Sequence, residues 1–339
     1  MKTTFVENLR PNARVRDVFL VGEKKMGLSS SNGAPYVHVT LKDRTGAIKA
    51  VKWDADLEAF ADINQGDYVL AEGLVTIYKD NPQIRLDSCR KYAGATDRED
   101  FLPQTSKNID EMLASVMDLV RSVKQLQLKA LLDRFFADQP FLERFKAAPA
   151  AVSVHHAYIG GLLEHTLSVA QMCDLISAQY PELDRDLLVA GALLHDIGKT
   201  EEIAWTHSIE YTDAGHFVGH VVSGAMQVES AIASIPDFDR ELKMKFLHLM
   251  LSHHGKREYG APVLPGTREA IALHYIEDMD AKLKMFEEAL ADGGKERWTT
   301  HHIRFERRLY RGAPDEDKRE TKDLAAGEDI EAPDAFADE

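Results

Sequence analysis

The chain has 339 residues, 44% hydrophobic and 29% charged, with a formal net charge of −15. That is enough apolar material for a full core and more chain than one core usually holds, so two domains are expected and wholesale disorder is excluded. No apolar run is long enough to span a bilayer and the start, MKTTFVENLR, lacks the basic-then-apolar layout of a signal peptide, so a cytoplasmic protein without membrane contact is expected.

Cys89 and Cys173 lie in separate segments with no CxxC partner, which removes both a disulfide framework and a cysteine-rich zinc site. The acidic balance argues against a polyanionic partner only if it is evenly spread. It is not. Residues 1–95 carry 14 Lys or Arg against 12 Asp or Glu, whereas residues 312–339 carry 11 acidic groups and 3 basic ones in a stretch rich in Ala, Gly and Pro, the composition of a disordered tail.

From Val15 to Tyr92 the pattern is that of a small β-barrel. YVHVTLKD (36–43) alternates, RTG turns, and AIKAVKWD (47–54) alternates again, giving a hairpin. Two further strands follow in QGDYVLAEGLVTIYKDNPQIRLDSCRKY, with KDNP as their turn. The exposed phases hold Lys42, Lys49, Lys52, Tyr78, Lys79 and Arg85, cationic and aromatic groups suited to tracking a phosphate backbone and stacking bases, although no aromatic pair stands out. The polar string TDREDFLPQTS (96–106) is predicted to be a linker. After it Ile109, Leu113, Val116 and Val120 form a helical stripe, and the 109–132 segment could use it for self-association or for packing on the domain that follows. From there to Leu309 the pattern is almost wholly helical.

Histidines organise that helical part. His165 sits among core-like residues; His195 and Asp196 close the run GALLHDIGK; His220 follows in GHFVGHVVSGA; His253 and His254 end FLHLMLSHHGK; and ALHYIEDMDAKL carries His274, Glu277, Asp278 and Asp280. Any one of these is explained by an ordinary hydrogen-bonded histidine. Several facing inward together are not, since each buried polar group needs a partner and one ion supplies a partner for all of them. Adjacent His195 and Asp196 can reach the same ion only from a helix end, which Gly198 is expected to permit. Nitrogen and oxygen donors without sulfur suit one or two divalent ions, with Mn2+ first and Mg2+, Fe2+, Co2+, Ni2+ or Zn2+ as alternatives. Two ions bridged by Asp196 would clamp a phosphoryl group.

The series His165, His195-Asp196 and a late acid resembles the metal-dependent phosphohydrolases of the HD superfamily, and His220 with His253-His254 resembles its binuclear branch. Five segments, VHHAYIGGLLEHTLSVA (154–170), LLVAGALLHDIGKTEEI (187–203), GHVVSGA (219–225), LSHHGKREYGAPVLP (251–265) and EAIALHYIEDMDAKL (269–283), are similar in this order to the YhaM-type 3′-to-5′ exoribonucleases. The resemblance covers roughly residues 10–310. It implies an N-terminal OB-fold (1–95), a linker and connecting helix (96–130) and an all-α HD phosphohydrolase domain (131–311), with the tail (312–339) given no role.

The resemblance implies a first metal on His165, His195, Asp196 and either Glu277 or Asp280, and a second on His220, His253 and His254 with Asp196 shared. Lys199, three residues after Asp196, would neutralise charge on the phosphate. His155 and His156 would contact the scissile phosphate, protonate the leaving 3′ oxygen, or support the ligands. Arg257 is a candidate phosphate contact. The expected substrate is single-stranded RNA, with single-stranded DNA open. Two alternatives stand beside this: a phosphohydrolase of nucleotides or cyclic dinucleotides, against which the barrel and the TEEIAW that follows Lys199 both speak, and an inactive RNA-binding protein.

Overall fold

A computed structural model describes residues 2–312 apart from 30–32, 80, 207, 292, 293 and 295; the acidic tail beyond residue 312 and one position of the KDNP turn therefore lie outside the described residues. Among the described residues, those up to 280 form one compact unit and those from 281 to 312 a second. No helix among the described residues is long and apolar enough to cross a membrane.

The first five strands close a barrel. They are β1 (Arg14–Leu28), β2 (Pro35–Asp43), β3 (Gly46–Trp53), β4 (Tyr68–Tyr78) and β5 (Asn81–Lys91), ordered β1-β2-β3-β5-β4 around the ring. All neighbours are antiparallel except β3 and β5. Alternation does the sorting: on β2, Val37, Val39 and Leu41 enter the core, while His38 and Lys42 are exposed. Cys89 is buried in this core.

The linker differs from its polar appearance. Phe101 and Leu102 are buried, Phe101 edge-on to Tyr68 at 4.7 Å between centroids, so two apolar residues in a charged string anchor the segment.

The helical part runs α1 (Ile109–Ser122), α2 (Leu126–Phe136), α3 (Gln139–Ala147), α4 (Gly161–Gln179), α5 (Arg185–Leu194) and α6 (Lys199–Glu202). A two-stranded ribbon, β6 (Ile203–Ala204) and β7 (Glu210–Tyr211), interrupts it before α7 (Asp213–Phe217), α8 (His220–Ala233), α9 (Arg240–Ser252) and α10 (Arg268–Leu290). Side chains of Asn108, Gln125, Asp138, Asp184 and Asp239 accept N–H bonds at the starts of five of these helices. The α1 stripe goes inward: Val116 and Val120, joined by Met112, enter a core that includes Leu162, Val169, Leu193, Phe246 and Leu273, and Ile109 and Leu113 pack half-buried against it. Cys173 is buried there too.

In the second unit the helical pattern expected up to Leu309 stops at Leu290. Residues 298–310 instead form short bridges, with Trp298 opposite Tyr310 and the Thr299 N–H donating to the Leu309 carbonyl at 2.9 Å. The paired β-branched Thr299 and Thr300 favour this extended course over a helix.

Candidate metal centre and nucleic-acid face

Two helices end in the same local device. His195 follows α5 and His253 follows α9, and each turns its Nδ1 back on the carbonyl three residues earlier, Ala192 at 2.8 Å and Met250 at 2.7 Å. Those carbonyls lack helical partners, so the imidazole caps them and turns its Nε2 away from the helix. Gly198 serves a different purpose from the one its position suggests. Its backbone is ordinary right-handed, but a Cβ there would lie 2.2 Å from the His220 carbonyl oxygen, so glycine lets the His195-Asp196 turn meet the start of α8.

Three other imidazoles are held in the same sense. Nδ1 of His165 lies 2.7 Å from Asp280 Oδ2, Nδ1 of His220 lies 2.9 Å from the Glu202 carboxylate, and Nδ1 of His254 lies 2.7 Å from the Tyr259 carbonyl. Acceptors at all five Nδ1 atoms place the proton there and leave the Nε2 lone pairs bare. These lone pairs converge on Asp196. Its Oδ2 is 3.5 Å from His165 Nε2 and 3.4 Å from His195 Nε2, while its Oδ1 is 3.5 Å from His220 Nε2 and 3.6 Å from His253 Nε2. Nε2 atoms also face each other, His165 to His195 at 3.3 Å and His220 to His254 at 3.2 Å. Two lone pairs at that distance do not bond each other, and a cation between them resolves the conflict. Asp196 Oδ1 and His253 Nε2 are buried with no hydrogen-bond partner. The residues therefore fit divalent metal: His165, His195 and Asp196 form one group and His220, His253 and His254 another, with Asp196 Oδ1 near His220 and His253, and a third group, His156, His165 and Asp280, overlaps the first.

The electrostatics agree at three of the five imidazoles, whereas at His195 burial is outweighed by the negative charge of Asp196, which raises the ring. Burial, then neighbouring imidazoles, pushes His253 well below the ordinary histidine range, and burial brings His165 and His254 down to about 4. Neutral imidazoles are the form that ligates. Burial opposes ionisation of Asp196, but Lys199 and His195 outweigh it and hold the carboxyl well below its usual range. The Lys199 ammonium, itself buried, lies 2.6 Å from Asp196 Oδ2 and is held charged by it against the cost of burial.

On α10 the two candidate acids separate. Asp280 Oδ2 takes His165 Nδ1 and lies 3.2 Å from His156 Nε2, and its Oδ1 accepts from the Ser168 hydroxyl at 2.5 Å, so both oxygens are engaged in holding histidines and α4. Among the described residues Glu277 has no such partners; burial and the negative charge of Asp196 push it up to about 7. His274 holds the His253 carbonyl through Nδ1 at 3.0 Å. His156 has both ring nitrogens occupied, by Tyr158 Oη at 2.8 Å and Asp280. His155 does not: its buried Nδ1 has no partner, and burial beside Lys199 lowers it to about 3. Arg257 is exposed in the turn after α9, whose Tyr259 carbonyl orients His254. Sequence periodicity does not single out Glu202, Ser168 or Tyr158; a carboxylate or hydroxyl that orients a ligand leaves no register signal of its own.

The barrel residues divide into neighbourhoods. Lys49, Tyr78 and Lys79 line one hollow with Asn81 and Gln83. Lys42 lies at the other end of β2, its stem across Gly22, and lines a hollow with Arg44 and Ala157. Arg85 is exposed opposite Val51, and Lys52 is half-buried with its ammonium on the Asp87 carbonyl at 3.0 Å. Although the linear sequence shows no aromatic pair, the β2–β3 register creates a cluster: Tyr36 lies opposite Trp53, at 5.8 Å between centroids, and 5.0 Å from His38. Residues 36, 38, 40 and 42 of β2 share one face, with Lys49 opposite Thr40.

Family models match residues 13–92 as an OB-fold nucleic acid binding domain and residues 162–284 as an HD domain. Proteins named 3′-5′ exoribonuclease YhaM from Bacillus velezensis and Bacillus subtilis are each 33% identical to the chain, which aligns over 82% of its own length and 88% of theirs. By this identity and coverage, the chain belongs to the YhaM family of 3′-5′ exoribonucleases.

Proposed function

We propose that this protein is a divalent-metal-dependent 3′-to-5′ exoribonuclease that hydrolyses single-stranded RNA. One observation carries it: four Nε2 atoms, with their Nδ1 atoms already engaged, converge on the two oxygens of buried Asp196, and a fifth, that of His254, faces His220 Nε2. The names of the related proteins supply the substrate class. His165, His195, Asp196 and Glu277 hold the first ion, and His220, His253, His254 and Asp196 the second. Mn2+ fits this all-nitrogen-and-oxygen set, since both cysteines lie in hydrophobic cores. Ions held there supply Lewis acidity to the phosphate and acidify the attacking water.

The chain's own groups do the rest. Lys199 presents a permanent positive charge to the nonbridging oxygens, where charge grows as water adds to phosphorus and the bond to the 3′ oxygen breaks. His155, neutral at physiological pH by its depressed value, hydrogen-bonds the phosphate rather than protonating the leaving oxygen. His156 and Asp280 orient His165. The face of Tyr36, His38 and Trp53, with Lys49 and Lys79, holds the strand upstream by stacking and charge, and Lys42 and Arg85 extend its positive field. Lys52, already committed to Asp87, and Arg257 contribute charge at longer range.

The test is a time course on 5′-labelled single-stranded RNA with Mn2+ or Mg2+, run beside 3′-phosphorylated RNA, DNA of the same sequence and a cyclic dinucleotide. A ladder descending from the 3′ end is expected. Intact RNA beside hydrolysed cyclic dinucleotide would overturn the proposal.

A further inference from the structure

The segment joining the barrel to the helices is stitched to the stretch that precedes α4. The Ile159 N–H donates to the Pro103 carbonyl at 2.8 Å and the Thr105 N–H to the Ile159 carbonyl at 2.9 Å, a parallel bridge of two short lengths of chain. Gly160 makes the approach possible. Its φ is +81°, and a Cβ there would lie 2.8 Å from the Thr105 methyl.

From that bridge a run of side-chain bonds leads to the metal centre. The Thr105 hydroxyl donates to Glu164 Oε2 at 2.6 Å, the Tyr158 hydroxyl donates to the same oxygen at 3.0 Å, and Lys107 pairs with Oε1 at 3.1 Å. Tyr158 Oη lies 2.8 Å from His156 Nδ1, and His156 Nε2 lies 3.2 Å from Asp280 Oδ2, the oxygen that also takes His165 Nδ1 at 2.7 Å. Glu164, His165 and His156 are buried and Thr105 and Tyr158 half-buried, so the links at His156 and His165 are shielded from water while Lys107 stands exposed at the outer end.

We propose that Thr105 and Tyr158 are positioning residues for His165, so that the His165–His195–Asp196 site reaches full metal affinity only with the interdomain segment docked on Glu164. This rests on the metal-centre reading above. An acceptor at Nδ1 fixes the tautomer and ring angle of a ligating histidine, and losing such support typically costs about 10- to 100-fold in metal affinity. Thr105 and Tyr158 act through further links, so their loss should cost less, about 3- to 10-fold, confined to one of two sites. Coupling is reciprocal, so metal bound at His165 should in turn hold the segment down.

The experiment titrates MnCl2 into the metal-free full-length protein by calorimetry, comparing wild type with Thr105→Val, Thr105→Ser, Tyr158→Phe and the Thr105→Val/Tyr158→Phe double variant. Thr105→Val and Tyr158→Phe are expected to weaken one Mn2+ site 3- to 10-fold and spare the other. Thr105→Ser, which keeps the hydroxyl, should retain wild-type affinity, and the double variant should lose little more than the worse single, as residues on one relay are non-additive. Hydrogen exchange gives a second readout that does not depend on the Thr105 variant folding: Mn2+ should slow the Thr105 amide in wild type and not in Tyr158→Phe. Wild-type affinity at both sites in Thr105→Val and Tyr158→Phe would overturn the proposal alone. A wild-type chain that binds no Mn2+ would overturn the metal reading and this proposal with it.

Discussion

The barrel face and the helical centre address one polymer by opposite means. On the barrel, Trp53 is 49% and Tyr78 57% exposed, and Lys49 stands free of the core beneath it. In the centre His165, His195 and His253 are fully buried and each is fixed by a bond at Nδ1. Exposed stacking and charge tolerate replacement of single residues. A buried cluster is over-determined, and removing one member strands its partners.

The largest effect that difference predicts is at Asp196. Asp196→Asn should lower kcat by about 10³-fold or more, because it removes the carboxylate common to both metal groups. It should also destabilise the helical part by about 3–5 kcal/mol by leaving Lys199 charged and unpaired in the interior. RNA affinity of the barrel should be untouched. Gel assays, melting curves and fluorescence anisotropy on the same preparation separate these three, and a variant that still hydrolyses RNA at the wild-type rate would remove Asp196 from the centre.

Acid should part the two regions next. In metal-free protein burial holds His165 and His254 at about 4 and His155 at about 3. These folded-state values lie below the ordinary value of about 6.5. Between pH ~6.5 and ~4 the unfolded chain thus takes up protons that the folded chain refuses at these imidazoles, and stability falls as the pH drops, by up to about 1.4 kcal/mol per pH unit for each. Glu277, raised to about 7, and His195, also raised, act in the opposite sense and offset part of the loss. The barrel behaves otherwise. Asp17 accepts N–H bonds from Thr3, Val18 and Thr4, which overcome burial and depress its carboxyl, so its contribution persists above pH ~4 and is lost only below. His38 is depressed too, by burial and Lys49, but it is exposed and screened by solvent. Pulse proteolysis in urea and EDTA at pH 7 and pH 5 should show helical fragments losing protection while the barrel keeps it. An unchanged midpoint for the helical fragments would contradict the burial of neutral imidazoles.

The same contrast governs what the sequence discloses. His195-Asp196, His220 and His253-His254 are legible because inward histidines beside apolar runs demand a common partner, and the barrel is legible because alternation and turn residues coincide in YVHVTLKD and AIKAVKWD. Glu277 and Asp280 are inseparable in one dimension; only the positions of His156, His165 and Ser168 commit Asp280 to orienting them. Tyr36 and Trp53 are 17 residues apart in the chain and meet only through the β2–β3 register. The linker misleads because Phe101 and Leu102, two apolar residues among charges, decide its docking. Pairings that follow from tertiary packing carry no periodicity, and polar residues that hold ligands resemble polar residues that meet water.

The smallest effects belong to the barrel and test its half of the comparison most sharply. Base stacking is worth about 1–3 kcal/mol per base, so Trp53→Ala should weaken binding of single-stranded RNA by about 5- to 150-fold. Lys49→Ala should cost only a few-fold and should show itself as a salt dependence shallower by about 0.7 in logarithmic slope, the signature of one phosphate contact on a single strand. Both are measured by anisotropy in the Asp196→Asn background, where RNA is not consumed. Neither substitution, made in the active chain, should change kcat on a dinucleotide too short to reach the barrel. If Trp53→Ala bound RNA normally while Lys49→Ala flattened the salt slope, the face would hold RNA by charge alone, and the ring cluster on β2 and β3 would be no more than surface packing.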